Sequence, residues 1–248
     1  MQKEFIDVAA HELRTPIQPI IGLSEVVLSN TKYMEQAKLL EVVNRNAKRL
    51  QRLTEDILDV TKIESRSLNL KKEQFDLNQV ITNAIEDMMT KKVFSPSHHS
   101  VTSPNTKSPV IKLLNSQQPQ HVSVYADKGR ISQVVSNLLD NAVKFTKIAE
   151  GNITIMIKKK GAEGQEQRNN NNQQVIVSIK DTGTGIDYEI LPRLFSKFAT
   201  KSQTRGTGLG LFICKGIVEA HGGRIWAENN ADSIGATFSF SLPNNNML

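Results

Sequence analysis

The chain has one cysteine, few aromatic residues and no long apolar run, and each shortage removes a class of protein. Cys214 alone cannot close an internal disulfide, so a disulfide-framed secreted module is excluded. A lone cysteine suits a reducing, cytoplasmic setting, where it serves as a small apolar residue on a helix. No apolar stretch approaches the roughly 20 residues needed to span a bilayer. Met1-Gln2-Lys3-Glu4-Phe5 lacks the apolar core of a secretory leader. Aromatics make up 5% of the chain and do not interleave with the basic runs at Lys71-Lys72, Lys91-Lys92 and Lys158-Lys159-Lys160. The net charge of +6 therefore reads as solvated surface cations, with no nucleic-acid partner.

A length of 248 residues predicts two domains. Residues 1–68 read as a helical hairpin. In the first helix Phe5, Val8, Ala9, Leu13, Ile17, Ile20, Ile21, Val27 and Leu28 mark one broad apolar face. Pro16 and Pro19 fall inside it. Each removes an amide donor, which predicts a kink rather than a stop, since the apolar spacing continues past both. In the second helix Leu40, Val43, Ala47, Leu50, Thr54, Ile57 and Thr61 step by three and four as a heptad seam. Leu39, Val42, Leu53, Leu58, Val60 and Ile63 widen it. Two stripes this wide cannot hide against each other alone, so a homodimeric four-helix bundle is expected.

Residues 69–248 read as an α/β domain. Leu68 to Phe75 alternates like a strand, and Asp76 caps a helix through Val80, Ala84, Ile85 and Met88. Residues 93–109, which contain His98 and His99, read as a flexible insertion; these histidines have no Cys or acidic partner and are taken as solvated. Strands are expected at 110–114, 122–125, 152–160, 174–180, 224–228 and 236–242. Helices are expected from Asp127 to about Phe145, near 187–197 and at 209–221. The tract Asn169 to Asn172 lies in a linker. Strands beside longer helices make an α+β chain whose second part is a two-layer α/β sandwich.

Three constellations carry chemistry. On the helix after Asp127, Asn137, Asn141 and Lys144 share one stripe, while Ile131, Val134, Leu138, Ala142 and Phe145 form the core face. Amide oxygens beside a lysine can hold a magnesium-bound triphosphate, although an ordinary exposed helix face looks the same. Asp181-Thr182-Gly183-Thr184-Gly185 follows a strand. Its carboxylate could accept from the exocyclic amine of adenine, with Gly183 and Gly185 letting the backbone approach; a plain glycine turn is the alternative. Gly206-Thr207-Gly208-Leu209-Gly210 opens a helix, where freed amides and the helix dipole attract phosphate. Walker and dinucleotide patterns are absent. Phe195 and Phe198 could anchor a mobile lid, with Lys197, Lys201 and Arg205 facing phosphates or simply solvated.

Together, His11-Glu12-Leu13-Arg14-Thr15-Pro16, Asn137 to Thr146, Asp181 to Gly185, Phe195 to Phe198 and Gly206 to Leu211 make a set that resembles the histidine kinases of two-component signalling. The resemblance runs over nearly the whole chain in five boxes. It implies a dimerising phosphotransfer hairpin followed by a Bergerat (GHKL) type ATP-binding sandwich. It implies that His11 accepts the γ-phosphoryl group of ATP, that Glu12 holds the other ring nitrogen, and that Thr15 supports partner dephosphorylation. It further makes Asn141 the Mg²⁺ ligand, places Asn137 and Lys144 near the phosphates, and gives Asp181 to adenine. The partner implied is the aspartate of a response-regulator receiver domain. The sensor module is expected elsewhere, in a longer protein or a partner. One departure from the family is that Ala199-Thr200-Lys201 stands where many members carry an arginine. His221, before Gly222-Gly223, reads as a helix cap. The rivals are a gyrase-, MutL- or chaperone-type ATPase, which would commonly carry a glutamate in place of Asn137, and a non-catalytic dimeric scaffold.

Overall fold

A computed structural model describes residues 2–28, 33–93, 110–115, 121–146, 151–160, 173–199, 207–231 and 234–243. His98, His99, Asn169 to Asn172, Lys201, Arg205 and Gly206 lie outside them. The chain divides into two compact units, Met1–Leu68 with Ser196–Ile213, and Asn69–Phe195 with Cys214–Leu248.

The first unit is built on two packed helices, α1 (Gln2–Leu28) and α2 (Tyr33–Glu64). α1 runs through Pro16 and Pro19 without a break in its helical assignment. The buried positions of α2 fall among the residues expected to widen the seam, not on the seam itself. Leu53 and Val60 are buried, whereas Ala47, Thr54 and Thr61 are exposed and Leu40 is 53% exposed. Both rows step by three and four, so spacing alone does not separate them; burial within the first unit, where Asp56 and Glu64 on either side of Val60 meet Thr207 and Lys197, selects the row through Leu53 and Val60. Ile21 and Leu58 are also more than half exposed.

The second unit holds two sheets. β1 (Glu73–Asp76) pairs antiparallel with β3 (Ser123–Ala126). The larger sheet, in the order β2-β4-β5-β7-β6, comprises β2 (Val110–Asn115), β4 (Asn152–Lys160), β5 (Gln174–Asp181), β6 (Ile225–Asn229) and β7 (Ala236–Pro243). β2 runs parallel to β4 and every other pair is antiparallel. Alternation sorts the faces of β4 and β5: Ile153, Ile155, Val175, Val177 and Ile179 are buried, and the residues between them are less so, whereas β7 is buried from Phe238 to Leu242 on both faces. Among the described residues, α3 (Leu77–Val93) and α4 (Lys128–Phe145) belong to this unit, as does α5 (Gly210–Ala220) from Cys214 onward. α3 buries Leu77, Val80, Ile81, Ala84 and Met88, a helical stripe. Asp76 caps it, its Oδ1 accepting from the Asn78 amide at 3.0 Å. α4 packs on α3 and β5 through Ile131, Val134, Val135, Leu138, Leu139 and Ala142.

Two expectations need correction. Phe145, assigned to the core, is 37% exposed. It is the final residue of α4, where the stripe runs past the core it had followed. The helix expected near 187–197 shrinks to a single 3-10 turn, Leu191–Arg193. Asp187 explains this locally. Its carbonyl takes the amides of Ile190 and Leu191, its carboxylate takes that of Glu189, and Pro192 follows with no amide to offer a further turn. Among the described residues no helix is long and apolar enough to cross a membrane.

Candidate functional site

α4 begins at a cap that the sequence makes legible. Asp127 Oδ1 accepts from the Arg130 amide at 3.0 Å and Oδ2 from the Lys71 amide at 2.8 Å. Burial opposes the carboxylate's charge, but these two amides, with the nearby His221 and Arg130, outweigh it and hold its pKa below the usual value. Further along, Asn137 and Asn141 are half-buried on the stripe opposite the core. Lys144 follows one turn later, its Nζ 4.9 Å from the Phe145 ring centre. The side chain as a whole is exposed, yet partial burial of the ammonium lowers its pKa. The three residues thus present two amides and a cation along one helix edge.

Asp181 ends β5 and is 3% exposed. Its Oδ1 accepts from the Gly183 amide at 2.8 Å and the Ala236 amide at 3.3 Å. Burial raises its pKa and the two amides pull it back in part. Gly183 is required sterically, because a Cβ there would lie 2.5 Å from the Phe145 carbonyl oxygen. Gly185 adopts φ +75°, open mainly to glycine. The Asp181 turn and the end of α4 are therefore built against each other.

Residues that sequence reasoning missed complete this turn. Asn229 clasps Ile186, accepting from its amide at 2.6 Å and donating to its carbonyl at 2.8 Å. Asn230 donates to the Asp181 carbonyl at 2.8 Å. Gly235 has φ +120°, and a Cβ there would meet that same carbonyl at 2.1 Å. Asn229-Asn230 followed by a glycine was visible as a turn signal, but its partners lie some 45 residues away in sequence. Thr146, directly after α4, has its hydroxyl buried and unpartnered among the described residues.

In the first unit, the glycine-rich stretch meets the end of the phenylalanine segment backbone to backbone. The Phe198 amide donates to the Gly208 carbonyl at 2.9 Å. A Cβ on Gly208, which has φ +68°, would lie 2.7 Å from the Phe198 Cα. Phe198 itself has φ 60°, uncommon for a bulky residue. Thr207 Oγ1 takes the Leu209 amide at 3.3 Å and donates to Asp56 Oδ2 at 3.4 Å. Burial pushes the Asp56 pKa up to about 6, the Thr207 hydroxyl opposes this, and Asp59 and Glu55 add to it. Lys197 forms an ion pair with Glu64, and its Nζ lies 5.8 Å from the Phe212 ring centre. The backbone places His11, Glu12 and Thr15 in α1, with Thr15 exposed.

Comparison with known proteins matches the two ends of the chain separately. Residues 1–66 match the His Kinase A (phospho-acceptor) domain. Residues 126–246 match the histidine kinase-, DNA gyrase B- and HSP90-like ATPase family. Sensor protein KdpD of Clostridium acetobutylicum is 32% identical over 243 residues, covering 94% of this chain and 24% of that protein. Histidine kinase 5 of Arabidopsis thaliana is 29% identical, covering 97% of this chain and 26% of that protein. The chain thus spans about a quarter of the length of these two relatives. Among solved structures, the catalytic domain of histidine kinase ThkA superposes with TM-score 0.54 at 29% identity, over 70% of this chain and 96% of that one. Acinetobacter baumannii histidine kinase AdeS, at 24% identity and TM-score 0.65, shares the fold over 95% of this chain and 98% of that one.

Proposed function

This chain belongs to the histidine kinase family, and we propose that it moves the γ-phosphoryl group of ATP to its own His11 and then to an aspartate of a response regulator. The observation that carries the nucleotide half is Asp181, a buried carboxylate with one oxygen fixed by two amides beside a glycine turn that tolerates no side chain. Both contacts fall on Oδ1, and we assign Oδ2 to the exocyclic amine of adenine. Gly183 and Gly185 let the base approach the backbone.

Asn137, Asn141 and Lys144 would face the triphosphate, with Lys197, Lys201 and the Gly206 to Gly210 stretch supplying further donors. Asn141 fits a magnesium ligand, since its amide oxygen is a hard donor on a half-buried helix edge. Among the described residues no cluster of His, Cys, Asp and Glu could cage a bare metal, which suits an ion that arrives with the nucleotide. When bound, that ion would neutralise triphosphate charge. The remaining work belongs to the chain: orienting the nucleotide and presenting an unprotonated imidazole nitrogen in line with the γ-phosphorus. Such positioning is worth on the order of 7–11 kcal/mol at best. Glu12 would accept from the distal ring nitrogen of His11 and fix its tautomer. Thr15, one turn on, would orient water when the partner is dephosphorylated.

We place the functional boundary at residue 68, with 1–68 as a homodimerising phosphotransfer hairpin and 69–248 as the ATP-binding domain. The exposed Ile21, Leu40 and Leu58 on the hairpin support dimerisation. Incubation with γ-labelled ATP and magnesium tests the reading. Label should enter the protein, be lost in acid, and disappear in His11→Gln with ATP binding retained. Label that survives His11→Gln overturns the acceptor; free phosphate with no labelled protein points to an ATPase.

A further inference from the structure

His221 has no part in the reaction above, yet it is 6% exposed and joins two helices of the second unit. The helix-cap reading accounts for only one side of its ring. Nδ1 lies 2.8 Å from the Ile217 carbonyl oxygen on α5, and a carbonyl can only accept, so Nδ1 carries the proton. Nε2 lies 2.9 Å from the backbone amide of Asp127, which can only donate, so Nε2 is bare. The two contacts leave one state of the ring, the neutral Nδ1–H tautomer.

The amide in question belongs to the residue that caps α4. α4 bears Asn137, Asn141 and Lys144, while α5 starts directly after the glycine-rich stretch. Midway along, Cys214 Sγ lies 4.0 Å from the Val134 carbonyl, so the bodies of the two helices are in contact. Such packing resists separation more than sliding. A hydrogen bond at the helix ends fixes the slide.

We propose that His221 is a positioning residue, setting the register of the glycine-loop helix against the asparagine-bearing helix through its bare Nε2, and that a proton on Nε2 releases the pair. The proposal rests on the ATP-binding reading for its effect on activity, but not for the linkage itself. A second ring proton would set an N–H against the Asp127 N–H, two donors with no acceptor between them, and the helix ends would part. Burial lowers the ring's pKa, with Lys72 reinforcing that direction and the Ile217 hydrogen bond and Asp127 opposing it. Lys72 and Asp127 are the charged groups facing the ring from the segment before β1 and from the start of α4. A depressed value means that the stabilisation from the link is full above the ordinary histidine pKa of about 6.5 and is lost as pH falls from there through the lower folded value.

The test uses the full chain. Long-range nitrogen–proton NMR, with His221→Gln identifying the resonance, should show the Nδ1–H tautomer at pH 7.5 and titration below that of a free histidine. An Nε2–H tautomer, or a ring already charged at neutral pH, overturns the proposal. ATP affinity is then measured from pH 7.5 to 5.5. Gln can accept from Asp127 and donate to Ile217 without titrating, so His221→Gln should match wild type at pH 7.5 and His221→Ala should bind about five- to tenfold more weakly, the scale of one lost hydrogen bond. As pH falls, wild type should lose affinity faster than His221→Gln, which cancels the contribution of Asp181 common to both. Parallel profiles overturn the proposal. If neither protein binds ATP, the nucleotide reading fails by itself; a wild-type melting temperature that drops below that of His221→Gln with acid still supports the linkage, and equal melting profiles reject it.

Discussion

The hairpin and the sandwich solve the burial problem in opposite ways. In the second unit Ile131, Leu138, Ile153, Ile155, Val177 and Phe240 are 0% exposed, because a sheet with helices against it closes a core within one chain. In the first unit Leu53 and Val60 are covered, but Ile21, Leu40 and Leu58 stay more than half exposed. Two helices offer each other one seam apiece, and a stripe wider than that seam has nowhere to go. One region is self-sufficient. The other keeps large apolar side chains in solvent, which the proposed pairing of two hairpins would cover.

The contrast can be broken most severely from the sandwich side. Gly183→Ala forces a methyl against the Phe145 carbonyl, and we expect a loss of about 2–4 kcal/mol of stability in the second unit, with ATP binding gone. Chemical denaturation of the whole chain would read it; an unchanged midpoint would show that the turn can yield. From the hairpin side, Leu40→Lys with Leu58→Lys should weaken self-association by about 2–3 kcal/mol while leaving the sandwich transition in place. Analytical ultracentrifugation checks this, and an unaltered dimer would move the interface elsewhere.

Asp56→Asn probes the contact between α2 and Thr207. The folded pKa of about 6 lies above the ordinary value of 3.8, so the contribution of Asp56 is full below the lower value and is lost as pH rises through the upper one. Asparagine still accepts from Thr207 without a charge. The variant should gain about 1–2 kcal/mol at pH 8, allowing for solvent screening, and nothing at pH 4. Equal melting curves at both pH values would contradict it. The smallest effect is expected for Asp127→Ala, about 1 kcal/mol from a lost helix cap, visible as a modest fall in melting temperature.

What the sequence made legible was local. Asp127 and Asp76 announce helix starts because a cap acts within three residues. The alternation of β4 and β5 reports a half-buried sheet without reference to its neighbours. Failures arose where the deciding partner was distant or where two local signals tied. The rows through Leu40 and Leu53 obey the same spacing, and burial within the first unit breaks the tie. Phe145 continues the stripe of α4 but outruns the core. Asn229, Asn230 and Gly235 matter because the Asp181 turn is folded onto them. His221 looked like a terminal cap because the amide it accepts from is 94 residues away.

The hydrogen bond from Phe198 to the Gly208 carbonyl has an architectural consequence. It pins both feet of the segment between them, so the cost of closing that loop is met at the staple rather than along its length. Doubling the span would cost only about 0.6 kcal/mol more. Insertions between these feet would therefore leave the flanking elements undisturbed, which makes this stretch a natural place for related chains to diverge.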